Sequence, residues 1–213
     1  CIFVSMKRII SSLIIFLLCI IQVNAQIVIN EYSAANYDSF QDNYGEYEDW
    51  FELYNGSATP IDLNGWQLSD KADEPNKWIV PGSLVIPAND VLVIFCSGRN
   101  EIAATGDAHT NFKLTQTTDN EVIILSDAAG VFQDSIRVIA NQTSHSRGRE
   151  TNGSLTWSVF TTATPGANNI NAQLEYATTP VFSQVGGYYN ASVNITISSP
   201  DPTVTIYYTT NGD

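Results

Sequence analysis

The chain has 213 residues, with 22 Asp or Glu against 9 Lys or Arg, for a net charge of −13. A surface of that sign repels polyanions, which excludes nucleic-acid binding through a broad basic face. Aromatic residues make up 11% of the chain, and with its β-branched residues they give enough apolar bulk for a packed core, which excludes a disordered acidic tail.

The first predicted element is a leader. Met6 is followed by Lys7 and Arg8, and an apolar stretch then runs from Ile9 to Val23. It ends in Val23-Asn24-Ala25, a small-x-small cleavage pattern. A basic start, a short apolar run and Ala25 at the exit predict a secretory signal peptide, not a retained membrane anchor. Cys1 to Ser5 precede Met6 and read as translated upstream sequence, so residues 1–25 are set aside together. The mature chain then begins near Gln26. It carries about −15, because Lys7 and Arg8 leave with the leader, and no later segment is apolar for long enough to span a bilayer. The predicted location is secreted or at the cell surface. Cys1 and Cys19 also leave. Cys96 stays alone in the apolar run Val91 to Cys96 and reads as a small buried hydrophobe, with no sequence feature placing a base beside it.

Beyond the leader the pattern is short alternating or fully apolar runs broken by Gly, Asn, Asp and Pro, which predicts an all-β domain of sandwich or barrel type. Gln26 to Tyr32 is the first strand. Trp50 to Tyr54 alternates, with Phe51 and Leu53 on one face and Trp50, Glu52 and Tyr54 on the other. Ile61 to Ser69 is the third strand and Lys77 to Val80 a short fourth, stopped by Pro81-Gly82. Val91 to Cys96 is apolar on both faces and belongs centrally in a sheet. Glu121 to Leu125 and Val131 to Val138 flank Asp127-Ala128-Ala129-Gly130 and predict a hairpin. Trp157 to Phe160 is the last strand of this unit, closed by Thr164-Pro165-Gly166. Asn168 to Thr179 is polar and reads as a linker. A second unit opens at Pro180, with strands over Ser192 to Ser198 and Thr203 to Thr209. So few strands predict an incomplete second β-sandwich.

The densest polar feature is Asp38, Asp42, Glu46, Glu48, Asp49 and Glu52. Hard cations such as calcium take several oxygen ligands from loops of this kind, and Asp38, Asp42 and Glu46 are the candidate ligands. The spacing fails the EF-hand pattern, since Phe40 and Tyr44 occupy ligand positions and Asn43 the turn-glycine position. The other reading is a solvated acidic loop, with Glu52 on a strand surface. Glycoside hydrolysis needs two acids across a cleft, and acids gathered on one loop offer none. His109 and His145 read as turn hydrogen-bonders, and Gly148, between Arg147 and Arg149, has no phosphate cradle around it. Arg147 is expected to bridge strands through Asp134 or Glu150. Trp50, Trp66, Trp78 and Trp157 are expected in the core. Tyr188 and Tyr189 follow Gly186-Gly187 in a predicted loop and are the candidate glycan-binding residues. No nucleophile elbow, phosphate loop or His-Glu-x-x-His pattern occurs, so no catalytic residue is assigned.

Several motifs taken in order carry a resemblance. They are Ile29-Asn30-Glu31-Tyr32, Asp49-Trp50-Phe51-Glu52-Leu53-Tyr54-Asn55 and Asp62-Leu63-Asn64-Gly65-Trp66-Gln67-Leu68-Ser69-Asp70. Trp78 before Pro81, Ile86-Pro87-Ala88, Ser97-Gly98 and His109 to Leu114 come next, then Asp134-Ser135-Ile136, Arg147 and Ala163-Thr164-Pro165-Gly166. Across residues 26–169 this resembles the bacterial lamin tail domain. The resemblance implies an immunoglobulin-like β-sandwich and no catalytic residues. Residues 180–213 resemble the start of a chitobiase-type C-terminal β-sandwich, through Pro180 to Ser183, Gly187-Tyr188-Tyr189 and Ile206 to Thr209 leading to Asn211-Gly212-Asp213. Residues 170–179 form the linker between the two. In exported proteins that look like this one, the pair often precedes a CotH-like kinase domain.

The function expected from this reading is a non-catalytic interaction or attachment module of a larger exported protein, with a protein or glycan partner at the cell surface and no cofactor. The alternatives are an accessory region of an exported kinase-like enzyme and a calcium-dependent surface adhesin. An immunoglobulin-like fold by itself selects none of them.

Overall fold

The computed structural model describes residues 26–210; the predicted leader and Asn211 to Asp213 lie outside them. The described chain is all-β. In chain order the strands are β1 (Ile27–Ser33), β2 (Trp50–Asn55), β3 (Ile61–Asp62), β4 (Gln67–Ser69) and β5 (Trp78–Ile79). They continue with β6 (Val85–Ile86), β7 (Val91–Phe95), β8 (Glu101–Ile102), β9 (Ala108–His109) and β10 (Val122–Ser126). The last are β11 (Phe132–Arg137), β12 (Ser146–Arg149), β13 (Trp157–Phe160), β14 (Val181–Phe182) and β15 (Ile197–Ser198).

Two sheets carry most of the structure. A seven-stranded sheet runs β13-β12-β1-β2-β7-β9-β8, and a four-stranded sheet runs β11-β10-β4-β5. One apolar cluster draws on both, with Ile27, Ile29, Phe51, Leu53 and Ile94 from the first and Leu68, Trp78, Ile123 and Leu125 from the second. The expected central position of Val91 to Cys96 holds, since β7 lies between antiparallel β2 and parallel β9. The expected hairpin is β10 and β11. Cys96 is buried and forms no disulfide among the described residues, and burial pushes its thiol well above the ordinary value, as an inert core residue requires. Trp50 and Trp78 are fully buried, while Trp66 and Trp157 are partly buried against the core.

Ile61 to Ser69 is not one strand. It splits into β3, which pairs with β6, and β4, which joins the four-stranded sheet. The reason is local. Asp62 Oδ1 accepts the Asn64 N–H (3.0 Å), and Gly65 sits at φ +77°, a left-handed turn that glycine adopts without a Cβ penalty. Alternation alone does not register a two-residue turn inside an apolar run.

A bulge in β1 reorients two polar residues. The register against β2 shifts between Ile29 and Glu31, so Asn30 is the extra residue. Ile29 and Tyr32 keep their places in the core cluster, yet Asn30 and Glu31 both reach the opposite face, where Asn30 meets Glu52. Strict alternation would have driven one of these two polar side chains into the core.

Candidate functional site

Glu31 and Glu52 are direct cross-strand partners on β1 and β2 and are both fully buried. The expected surface position of Glu52 is therefore corrected. β2 is a central strand, and the face carrying Glu52 is roofed by the loop after β13. The roof is the turn Thr164-Pro165-Gly166. Thr164 donates its N–H to Glu31 Oε1 (2.9 Å) and its hydroxyl to Glu31 Oε2 (2.6 Å). Gly166 donates its N–H to Glu52 Oε2 (2.7 Å). Ser146 of β12 donates to Glu31 Oε1 (2.5 Å), and Asn30 Nδ2 donates to Glu52 Oε1 (2.8 Å). Asn169 closes the ring: its Nδ2 donates to Arg149 O (2.6 Å), and its N–H donates to Asn152 Oδ1 (2.8 Å). Every oxygen of the two carboxyl groups has a donor, which is how a buried polar group is tolerated.

Burial pushes the Glu52 carboxyl from 4.5 up to about 8; the Asn30 hydrogen bond opposes the rise and the Glu31 charge adds to it. Burial raises Glu31 too, against its bonds from Ser146 and Thr164. Two acids with raised pKa resemble a catalytic pair. Here, however, the donors that hold them are the protein's own turn, and a substrate has no access to either oxygen pair. The arrangement fastens the loop over the sheet.

The acidic loop lies on the same face of the sheet. Phe40 stacks on Phe95 (centroids 5.6 Å) and meets Trp50 edge-on (6.0 Å). Asn36 Nδ2 donates to Phe40 O (2.6 Å) and Glu48 O (2.8 Å), and Asp49 Oδ1 accepts the Asn36 N–H (3.0 Å). Burial raises Asp49 to about 6, opposed by that N–H and reinforced by Glu48. The three expected cation ligands are placed separately. Asp38 accepts from Ser144 Oγ, Glu46 pairs with Arg99 (2.5 Å), and Asp42 Oδ1 accepts the N–H groups of Tyr44 (2.8 Å) and Glu46 (2.9 Å). Asp42 Oδ2 is buried and lacks a partner among the described residues. Among the described residues no three His, Cys, Asp or Glu side chains are grouped to hold a metal ion. His109, fully buried on β9, links this loop to the sheet, with Nε2 against Asn43 Oδ1 (2.8 Å) and Nδ1 against Ser97 Oγ (3.0 Å).

Two further expectations change. Arg147 pairs with neither Asp134 nor Glu150. It forks onto Glu175, Nη1 to Oε2 at 2.6 Å and Nη2 to Oε1 at 2.8 Å, while Arg149 takes Asp134 (2.8 Å). Residues two apart in a strand point to the same face, so Arg147 and Arg149 share one and divide the two acids by distance along it. The predicted linker is consequently tied down. Gln173 bridges Val159 of β13, and Tyr176 Oη sits 3.0 Å from His145 Nδ1. In the second unit, Tyr188 is fully exposed and Tyr189, also exposed, donates its hydroxyl to Val185 O.

Sequence reasoning missed Ser146, Gly148, Asn152 and Asn169 as members of the buried ring. Gly148 was legible only by its place between two arginines. A Cβ there would stand 2.9 Å from Asn169 Nδ2 and 3.0 Å from Glu31 Cγ, so the ring closes only over a glycine. Asn30, Glu31, Glu52 and Thr164 to Gly166 lay within motifs already singled out, but nothing linear joined them.

A family model described as Lamin Tail Domain matches residues 22–140. The match ends before β12 and β13, although both strands are hydrogen-bonded into the same sheet as β1. A comparison with curated proteins finds no match. Among the described residues no helix is long and apolar enough to cross a membrane.

Proposed function

Because the chain belongs to the Lamin Tail Domain family, we propose that it is a non-catalytic attachment module of a larger exported protein, acting at the cell surface through a protein or glycan partner. The observation that carries this reading is the sealed carboxylate pair. Glu31 and Glu52 are the strongest acid–base candidates, and Thr164 and Gly166 hold them closed. We propose residues 26–169 as an immunoglobulin-like β-sandwich, a geometry supported by the single core shared between the two main sheets. Residues 170–179 connect it to a chitobiase-type β unit from Pro180, in which Tyr188 and Tyr189 are held out as candidate glycan contacts. The setting we propose is an exported protein with a CotH-like kinase domain for which these units are accessories, reached through the signal peptide of residues 1–25. The test incubates purified residues 26–213 with intact cells and isolated envelope of the producing organism. Retention above that of an unrelated protein of equal charge is expected; equal retention removes the attachment reading.

One observation favours a second reading, a calcium-dependent adhesin. Asp42 Oδ2 is buried without a partner among the described residues, and a cation bound there would satisfy it, although Asp38 and Glu46 would have to leave Ser144 and Arg99 to join as ligands. Melting with calcium and with chelator decides it. Calcium at about a hundred times its dissociation constant adds about 2.7 kcal/mol to a protein that binds it. An unchanged midpoint removes this reading.

A further inference from the structure

A cleft of about 660 Å³ opens at one end of the interior strands β1, β2 and β12, lined by Val28, Tyr54, Gln133, Asp134, Arg149 and Gly153 among others. Its volume is that of a small-molecule site. It lies outside the sealed carboxylate ring, the acidic loop and the tyrosine pair of the second unit.

Three features give it a chemical character. The first is an aromatic wall, the half-buried Tyr54 ring, held in place by close packing of two glycine turns. Gly153 sits at φ +73°, and a Cβ there would stand 2.9 Å from Tyr54 Cε1; one at Gly56 would stand 3.4 Å from the same atom. Any side chain at Gly153 would press on the ring. The second is a buried, charge-balanced floor. Arg149 and Asp134 pair at 2.8 Å with side chains 7% and 18% exposed. Arg149 is fixed further by donating its Nε–H to Ile29 O (2.7 Å) and an Nη1–H to Ser154 O (2.5 Å). That engages three of its five N–H donors, leaving two among the described residues. Asp134 Oδ1 accepts only the Ser135 N–H (2.9 Å) and keeps a lone pair. The third is the rim, where Gln133 Nε2 makes only long contacts of 3.3 Å to Asp127 and Val131, so its amide is available.

A flat apolar wall beside rigid donors and acceptors that cancel in charge suits a ligand with a hydrocarbon face and many hydroxyls. A free anion is disfavoured, because Asp134 already occupies the guanidinium and the chain carries a net charge of −13. We infer that this cleft binds a neutral oligosaccharide, with a sugar ring on Tyr54 and its hydroxyls on Arg149, Asp134 and Gln133. The inference rests on the attachment reading and names a glycan site for it, distinct from Tyr188 and Tyr189.

The test titrates cellohexaose, mannohexaose and maltohexaose into the 15N-labelled full chain and follows amide shifts. At least one probe is expected to move Gly56, Arg149 and Gly153. Tyr54→Ala is expected to raise the dissociation constant about tenfold through loss of the stacking face. Gln133→Ala, a change at the rim of edge strand β11, raises it severalfold and decides the matter alone if Tyr54→Ala does not fold. The Tyr188→Ala, Tyr189→Ala double variant binds as the native chain does. No shift at the three amides with any probe at millimolar concentration overturns the site, as do shifts confined to residues 187–190 or native affinity in folded Tyr54→Ala. Envelope retention without these shifts overturns the site and leaves the attachment reading standing; shifts without envelope retention do the reverse.

Discussion

Replacing Glu52 with glutamine should flatten the pH dependence of stability. In the folded chain burial and the Glu31 charge hold the Glu52 carboxyl at about 8, against 4.5 in the ordinary state. Between those two values the unfolded chain has released the proton and the folded chain keeps it, so the unfolded state binds fewer protons. Stability therefore falls as pH rises, by about 1.4 kcal/mol per pH unit. Across the window from 4.5 to about 8 the loss is on the order of 5 kcal/mol, and it is complete above the folded pKa. Glu31, also raised by burial, adds loss of the same sign, and Asp49 adds more between 3.8 and about 6. Glutamine keeps the shape and one carbonyl acceptor but does not titrate. Its amide group replaces one of the oxygens that accept from Asn30 and Gly166, an exchange worth about 1–3 kcal/mol when it leaves a buried donor unpaired. Glu52→Gln is thus expected to match the native chain or fall about 1 kcal/mol below it at pH 5, and to exceed it by a few kcal/mol at pH 8.5. Urea melts at pH 5, 6, 7 and 8.5, extrapolated to zero denaturant, measure this directly. A variant destabilised by the same amount at every pH would refute the reasoning, since it would mean that Glu52 is ionised in the fold and held so by its donors.

Gly148→Ala should cost about 1–3 kcal/mol, because its Cβ would meet Asn169 Nδ2 at 2.9 Å and Glu31 Cγ at 3.0 Å; thermal melting checks it, and an unchanged midpoint means the ring relaxes freely. Leu125→Ala, at a fully buried core position, should cost about 2–5 kcal/mol in the same assay. Glu175→Ala removes the Arg147 partner from a site 63% exposed, so global stability should change by less than about 1 kcal/mol. Residues 170–179 should nonetheless be cut faster in limited proteolysis, and equal cutting would show that Gln173 and Tyr176 alone hold the segment.

In the second unit the expected strand Thr203 to Thr209 is not formed and Ser192 to Ser198 keeps only β15, whereas the all-β class, most strands of residues 26–169 and the core were legible from the sequence. Those properties are local: Phe51 and Leu53 alternate, Val91 to Phe95 is apolar on both faces, and Asp127 to Gly130 turns a hairpin whatever surrounds it. The motifs Asn30-Glu31, Glu52 and Thr164-Pro165-Gly166 were also legible as pieces. Their joint role was not, because a carboxylate reads as a surface residue until something is known to cover it. The β1 bulge sets Asn30 and Glu31 on one face, and the chain returns more than a hundred residues later to roof them with Thr164 and Gly166. Short β6, β8, β9 and β14 were missed for a related reason: two-residue strands have no period to detect, and parallel β9 exists only through its pairing with β7; β12 was missed because Ser146 to Arg149 is polar throughout and shows no apolar alternation. The cleft over Tyr54 likewise combines β1, β2, β11 and β12 with the Gly153 turn, five segments brought together by sheet pairing alone. Period and turn chemistry act over a few residues and are written in the chain itself. Burial of a charge and the shape of a cleft are sums over distant segments, and they exist only once the chain has folded.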